Sequence, residues 1–419
     1  MFTAGIFCTP GARLVFACAD RTQQVYWKYQ IGLIGQIGDA EGEEGMKVLI
    51  LSCSTGGGHN AAGNAMKQAL EKLGHEAVMI DPYELKSEEL ADRVGTVYVK
   101  SVQRAPKAFG TVYGIGNVIR RIPFKSPVYY VNGRMAGRMR RYLEKEQFDA
   151  VLMPHLFPAE ILTYMKRHQV PLPLTVFIAT DYVCVPFTEE TECDYYVIPA
   201  EDLKQEFARW GIPVEKMVPL GIPVRQECQE HRTRRQAKEL LGLKEDCRYV
   251  ILAGGSMGAG DLGGLVARLT DCIASKPEWR LVIICGSNRQ LQETLTQIYQ
   301  GHPQVQVIGY TSQMIAYMQA GELFLTKPGG LTTSEAASVG TPLVHISPIP
   351  GCEDLNLKYF RSRGMSEAIC SLDEVSEVFE RMQQPEVREA IIAEQHKRIH
   401  ADAAEQICRF IEQETEKKK

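Results

Sequence analysis

The sequence predicts an α/β protein built from two doubly wound, Rossmann-like domains. Three observations point there. At 419 residues, the chain exceeds what one core holds comfortably and suits two domains. Twice along it, at 48–81 and again from 249, an apolar run of strand length feeds a glycine-rich turn, with further apolar runs spaced beyond. That alternation belongs to a parallel sheet with helical crossovers. With 45% hydrophobic and 23% charged residues, the composition is that of an ordinary globular protein.

The net charge of −4 gives no global sign of nucleic-acid binding. The 12 cysteines are scattered singly, with no CxxC pair and no regular zinc-ligand spacing. Cys53 and Cys285 lie in apolar runs and read as buried thiols in a reducing cytosol.

Residues 1–45 stand apart. Asp20, Arg21 and Lys28 interrupt their short apolar pieces, so nothing reaches the roughly 20 apolar residues of a membrane span. A secretory signal would need a basic start and an unbroken apolar core. The run 38–45, GDAEGEEG, has the composition of a flexible linker. Met46 then opens the first strand, so translation is expected to start there, with 1–45 a disordered upstream extension. A small interfacial anchor is the alternative.

The buried strand 48–53 leads into Ser54-Thr55-Gly56-Gly57-Gly58-His59 and then a helix expected over 60–73, ended by Gly74. A strand at 77–80 completes a βαβ unit. The turn has neither the GxGxxG spacing of a dinucleotide site nor the Gly-Lys-Ser/Thr of a nucleotide-hydrolysing loop. Gly57 and Gly58 therefore present His59 at the carboxyl edge of the sheet, facing a ligand or capping the turn. Strands at 150–153 and 174–179 deliver His155 and Thr180-Asp181 to the same edge, where open α/β sheets bind ligands. Asp181 would serve equally as a cap. Runs at 195–199 and 218–224 close this domain.

Between 100 and 141 the charges segregate. Lys100, Arg104, Lys107, Arg120, Arg121, Lys125, Arg134, Arg138, Arg140 and Arg141 occur with no acidic residue among them, interleaved with aromatic and aliphatic side chains such as Phe109, Tyr113, Tyr129 and Tyr130. Such a mixture suits an anionic membrane surface, each cation contributing about 1 kcal/mol near it. No nucleic-acid motif accompanies it, and a solvated helical face is the bland alternative.

The second domain opens with a strand at 249–253 and a glycine loop, 254–260, that carries Gly255 and Ser256. A strand at 281–285 ends at Gly286, and another at 305–308 ends at Gly309-Tyr310. The apolar run 323–325 feeds Thr326-Lys327-Pro328-Gly329-Gly330-Leu331-Thr332-Thr333-Ser334-Glu335-Ala336. Two glycines permit a sharp turn, and Thr332, Thr333 and Ser334 are placed to cap a helix entering at Glu335. A strand, a glycine turn and a helix start aim several N–H groups at one point, favouring a phosphate, with Glu335 near enough for a ribose. After a strand at 342–346, a Pro-Gly turn delivers Glu353 and Asn356, polar groups suited to sugar hydroxyls. On the glycines alone, a plain strand-to-helix turn is the competing reading.

The block KPGGLTTSEA, then GTPL, then PIPGCEDLN resembles the donor half of the monogalactosyldiacylglycerol synthase and processive diacylglycerol β-glucosyltransferase family, of glycosyltransferase family 28. The resemblance runs from 46 to about 385 and implies the GT-B architecture, with two domains facing across a cleft. It divides the chain into an acceptor and membrane domain (46–224), a UDP-sugar domain (225–385) and a C-terminal helix with a lysine tail (386–419). It implies His59, then Asp181, as the base, with Gly57, Gly58 and His155 beside the acceptor. On the donor it implies Gly255, Ser256, Gly286, Tyr310, Lys327, Gly329, Gly330, Thr332, Thr333, Glu335, Glu353 and Asn356. UDP-glucose or UDP-galactose would be the donor substrate and diacylglycerol the acceptor, with inversion and no cofactor; no Asp-x-Asp motif lies in a loop near these glycines, so no metal is expected. The chain would work on the inner face of the cell membrane from the cytoplasm. The family's Gly-Gln-Glu is Gly351-Cys352-Glu353 here, and a thiol cannot make an amide's hydrogen bonds, so the choice of sugar stays open. A non-catalytic nucleotide-sugar sensor and a transferase with a polyprenyl or other acceptor are the rival readings.

Overall fold

The chain divides into two compact units, Met1–Gly45 and Met46–Lys419. The computed structural model describes residues 45–53, 57–93, 96, 120, 125–254, 262–348 and 350–418. The expectation for 1–45 therefore lies almost wholly outside the described residues, as do Gly255, Ser256 and half of the basic stretch.

The second unit contains two six-stranded parallel sheets. The first comprises β1 (Lys47–Leu51), α1 (Gly57–Lys72), β2 (Glu76–Ile80), α2 (Pro127–Gly133), α3 (Ala136–Glu146), β3 (Ala150–Met153), α4 (Leu156–Arg167), β4 (Leu174–Ile178), β5 (Tyr195–Val197), α5 (Lys204–Arg209) and β6 (Met217–Val218), with strand order β2-β1-β3-β4-β5-β6. The second comprises α6 (Arg234–Leu240), β7 (Arg248–Ala253), α7 (Leu262–Ile273), β8 (Trp279–Ile284), α8 (Arg289–Ile298), β9 (Val305–Ile308), α9 (Met314–Ala320), β10 (Leu323–Thr326), α10 (Gly330–Ser338), β11 (Leu343–Ile346), α11 (Cys352–Ser362), β12 (Glu367–Ile369) and α12 (Val375–Met382), with order β12-β11-β10-β7-β8-β9. Central strands such as β1, β3, β4, β10 and β11 are apolar and buried almost throughout. This is what a sheet covered by helices on both faces requires.

Strand order fixes where a ligand can sit. The first sheet reverses direction between β1 and β3, the second between β7 and β10, and the crevice beyond the strand ends at each reversal is the binding position of an open α/β sheet. The segments leaving β1, β3 and β10 carry His59, His155 and the Lys327–Gly330 turn.

The end of the chain differs from the expected appended helix and tail. It forms two helices, α13 (Pro385–Arg398) and α14 (Ala403–Lys418). The first stays with the second sheet, where buried Gln395 donates to the carbonyls of Thr341 (3.2 Å) and Met365 (2.9 Å). The second crosses back. Ala404, Ile407, Cys408 and Ile411 bury against Val48, Ile50, Met66 and Leu70 of the first sheet and α1. Lys72–Glu405 (2.6 Å), His75–Glu412 (2.7 Å) and Tyr195–Glu414 (2.5 Å) rim that contact. The charged end of the sequence had hidden an apolar stripe at helical spacing.

A buried polar network joins α2 to α4. Glu160 is wholly buried; Asn132 donates to its Oε2 and accepts from the Tyr83 hydroxyl, while Oε1 has no hydrogen-bond partner among the described residues. Burial is the main cause that pushes the Glu160 carboxyl up to about 8. The folded state thus holds a proton that the unfolded chain releases near the ordinary value of 4.5. Stability from this group is intact below that value and falls as pH rises toward about 8, by about 1.4 kcal/mol per pH unit at most. Glu160→Gln keeps the acceptor for Asn132 and removes the titration. Denaturation midpoints at pH 5 and pH 8.5 should therefore separate less in the variant than in the wild type, with the variant ahead at high pH.

Candidate active site

His59 lies on the first turn of α1, because the helix starts at Gly57, three residues ahead of the expected position. Gly57 and Gly58 are thus helical rather than turn residues. A Cβ on Gly58 would stand 3.9 Å from that of Leu331, so the start of α1 faces α10 across the cleft. The His59 Nδ1 is 2.8 Å from the Pro154 carbonyl oxygen and 3.1 Å from the Thr180 hydroxyl. A carbonyl only accepts, so Nδ1 carries the proton and Nε2 keeps the basic lone pair. Burial lowers the pKa of His59, against the opposing pull of the Asp181 charge. The ring is therefore neutral and proton-accepting at neutral pH.

His155 packs edge-on to His59, with ring centroids 4.5 Å apart. It is the N-cap of α4, its Nδ1 accepting from the Phe157 N–H at 3.1 Å. Burial and the neighbouring His59 hold its pKa well below the usual range, so it supports His59 as a neutral ring.

Across the cleft, α10 starts at Gly330 with Gly329 as its N-cap and no side-chain cap. The expected start at Glu335 is thus five residues late, and Thr332, Thr333 and Ser334 lie inside the helix. Thr333 instead contacts His345 Nε2 at 3.2 Å, whose Nδ1 meets Ser366 at 3.0 Å. Burial pushes His345 down to about 3, so this anchor beneath α10 is neutral. Ser334 accepts or donates to the Tyr182 hydroxyl at 2.7 Å.

The Thr180–Tyr182 segment and α11 close the cleft. Asn356, wholly buried, donates to Asp181 Oδ1 (2.7 Å) and the Pro328 carbonyl (2.9 Å), and accepts from the Tyr182 N–H (2.8 Å). The Tyr182 ring stacks on Tyr359 at 4.8 Å and meets Phe360 edge-on at 4.9 Å. Asn356 was expected on the sugar ring; here its amide is saturated within the protein. Glu335, expected at a ribose, is likewise buried, and its two oxygens take the Arg225 Nε (2.6 Å) and Nη2 (2.7 Å). Thr180 was named only beside Asp181, and Tyr182 and Arg225 were not singled out from the sequence. Their one local signal is position, next to Asp181 or at the end of the Gly-Ile-Pro-Val run.

Glu353 lies at the Lys327–Gly330 turn, its Oε1 3.9 Å from where a Gly329 Cβ would be. Cys352, the first residue of α11, sits close enough to Asp181 for that charge to act on it, and burial raises its thiol well above the ordinary range. Gly286, two residues beyond β8, has φ +57, a left-handed backbone that favours glycine. Tyr310, beyond β9, is 81% exposed.

The basic stretch divides in two among the described residues. Arg120 is structural: it binds Glu189 (3.0 and 2.7 Å) and stacks over Trp210 at 3.5 Å. On α2 and α3, Tyr130 (58%) and Val131 (55%) are exposed large side chains, and Arg134 and Arg141 are exposed near them in sequence.

Two glycines of the Lys327–Gly330 turn should respond differently to alanine. A Cβ at Gly330 would stand 1.9 Å from the Thr180 carbonyl oxygen, a backbone atom, whereas one at Gly329 meets nothing nearer than 3.9 Å. Gly330→Ala should destabilise by about 1–3 kcal/mol in denaturant titrations, and Gly329→Ala by about 0.5 kcal/mol or less.

Comparison with known proteins fits this arrangement. Residues 59–224 match the family model of monogalactosyldiacylglycerol (MGDG) synthase, and residues 249–407 that of the glycosyltransferase family 28 C-terminal domain. A processive diacylglycerol beta-glucosyltransferase of Staphylococcus carnosus is 26% identical over 353 residues, covering 83% of this chain and 88% of the relative. One from Bacillus cytotoxicus is 27% identical over 340 residues, covering 80% and 84%. Among solved structures, Acinetobacter baumannii MurG superposes with a TM-score of 0.59 at 14% identity over 88% of this chain and 99% of its own. Staphylococcus aureus MnaA, solved with UDP, gives 0.60 at 13% identity over 87% and 95%. These structural likenesses bear on the fold. The two family matches succeed one another along most of the chain and divide it where the two sheets divide, so its two halves are similar, in order, to MGDG synthase and to the glycosyltransferase family 28 C-terminal domain, as in a GT-B hexosyltransferase.

Proposed function

We propose that the chain transfers a hexose from a UDP-sugar to the 3-hydroxyl of 1,2-diacylglycerol, with inversion and without a metal, at an anionic membrane surface. The observation that carries this reading is the meeting of the two switch points. His59 Nε2 and Asp181 come from one sheet and the Lys327–Gly330 turn from the other, tied through Asn356. A diacylglycerol acceptor and glucose as first choice of sugar follow the names of the similar proteins.

In this reading His59 Nε2 removes the hydroxyl proton as the oxygen attacks the anomeric carbon, and Asp181 stabilises the imidazolium that forms. The bond from the anomeric carbon to the diphosphate oxygen breaks with inversion, and UDP departs. Its developing charge is met by the N–H groups at the start of α10. Glu335, buried and held by Arg225, steadies α10, and Glu353 takes a sugar hydroxyl. Gly286 lies beneath the nucleotide and Tyr310 beside the base. The exposed Tyr130, Val131, Arg134 and Arg141 supply the apolar and cationic mixture that membrane docking needs. No helix among the described residues is long and apolar enough to cross a membrane, and peripheral attachment to the inner face of the cell membrane is the accompanying proposal.

The test is transfer of labelled sugar from UDP-glucose and from UDP-galactose to diacylglycerol in anionic vesicles. One donor should give glycolipid, undiminished by EDTA, and His59→Ala should lower the rate by about 10²–10⁴. A base works deprotonated, so kcat/KM should hold at neutral pH and fall only as pH drops through the His59 pKa, which lies below 6.5. Binding of UDP-sugar with no product from either donor would sink the diacylglycerol acceptor. It would leave a polyprenyl or other lipid acceptor, or a sensor.

A further inference from the structure

Helix α11 turns one face toward the first domain. Residues 352, 353, 356, 359, 360 and 363 share that face at helical spacing, and Asn356 ties it to Asp181 and Tyr182. A second tie lies farther along the helix. Asp202, in the short helical turn Glu201–Leu203 that follows β5, accepts from the Tyr359 hydroxyl at Oδ1 (3.0 Å) and from Arg363 Nε at Oδ2 (2.8 Å). Both oxygens of one carboxylate from the first domain are thus engaged by side chains of the second.

The Tyr359 ring carries the Arg363 guanidinium at 3.7 Å and stacks on Tyr182 at 4.8 Å. Arg363 is fixed further by donating to the Tyr359 carbonyl (3.3 Å) and the Ser362 hydroxyl (3.1 Å). The side chains of Asp202 and Arg363 are 48% and 25% exposed, and an ion pair so open contributes little to stability. Its consequence is geometric. Glu353 lies in the first turn of α11, and Asn356 stands between it and the Asp202 tie. Two ties give the helix axis one direction, whereas Asn356 alone leaves it a pivot. On the rise of an α-helix, a swing of about 2 Å at Arg363 around Asn356 moves Glu353 by about 1 Å. A misplacement of that size costs up to about 10²-fold in rate.

We propose that Asp202 is a positioning residue for the transfer: through Tyr359 and Arg363 it sets the direction of α11 and so places Glu353 against the sugar. This rests on the UDP-sugar reading, and it gives the first domain a part in choosing the sugar. Asp202 touches neither substrate. UDP, which meets the Lys327–Gly330 turn and not the far end of α11, is held equally well without it.

Wild type, Asp202→Ala, Arg363→Met and the double variant are compared by calorimetric titration with UDP, UDP-glucose and UDP-galactose, by thermal melting, and by transfer kinetics with both donors. Each variant should melt within about 3 °C of the wild type and bind UDP with unchanged affinity. Its kcat should fall about 10- to 100-fold, and the ratio of kcat/KM between the preferred sugar and the other should fall about 3- to 10-fold. The double variant should be no worse than Asp202→Ala, because both substitutions break one tie. A merely structural tie would slow both donors equally and keep their ratio. That ratio left intact, or UDP affinity lost together with the melting point, would overturn the proposal. A wild-type chain that binds no UDP-sugar would overturn the donor reading itself, a result seen before any variant is compared.

Discussion

One buried amide holds the two halves of the site in register. Asn356 has no solvent exposure, and its two donors and its acceptor reach Asp181, Pro328 and Tyr182. Two of those partners belong to the segment leaving β4 of the first sheet, the third to the turn leaving β10 of the second. A buried amide so satisfied is worth more in specificity than in net energy, because loss of one partner leaves the others exposed to the desolvation penalty. The Tyr182 ring between Tyr359 and Phe360 reinforces the tie, and the Thr180 carbonyl packs on the only kind of residue that leaves room for it, Gly330.

From that register the chemistry follows. The backbone carbonyl of Pro154 fixes the proton on His59 Nδ1, beside the Thr180 hydroxyl, leaving the Nε2 lone pair free to take the proton in the proposed reaction. Thr180 is also the residue whose carbonyl meets Gly330 at the start of α10, so the orientation of the His59 ring and the approach of the domains share one side chain and its backbone. His345 under Thr333 and Arg225 on Glu335 then steady α10 from below and from the interdomain segment. Neutral rings are used where the support is buried, and charges where an ion pair is available.

Much of this fold was legible because fully buried parallel strands appear as unbroken apolar runs, and those at β1, β7, β10 and β11 stand where the sequence suggests. Helix starts were less legible. Glycine is a poor helix former, so Gly57, Gly58 and Gly330 look like turn residues; the structure places them in first turns that face the opposite domain. Polar side chains were legible as special but not in their partners. Glu335 meets Arg225 from 110 residues away and Asn356 meets Asp181 from 175, pairings that no local pattern encodes. The return of α14 to the first sheet is of the same kind, since Ile407 and Ile411 show a stripe but not the surface that receives it.

The claim at the centre of this account is that the two switch points form one donor and acceptor site, and the structure of the chain crystallised with UDP tests it most directly. The account predicts the diphosphate at the 326–330 turn, within hydrogen-bond reach of the α10 N–H groups, with His59 Nε2 facing the same cavity. UDP bound away from that turn, or bound there with His59 and Asp181 turned out of the cleft, would contradict it.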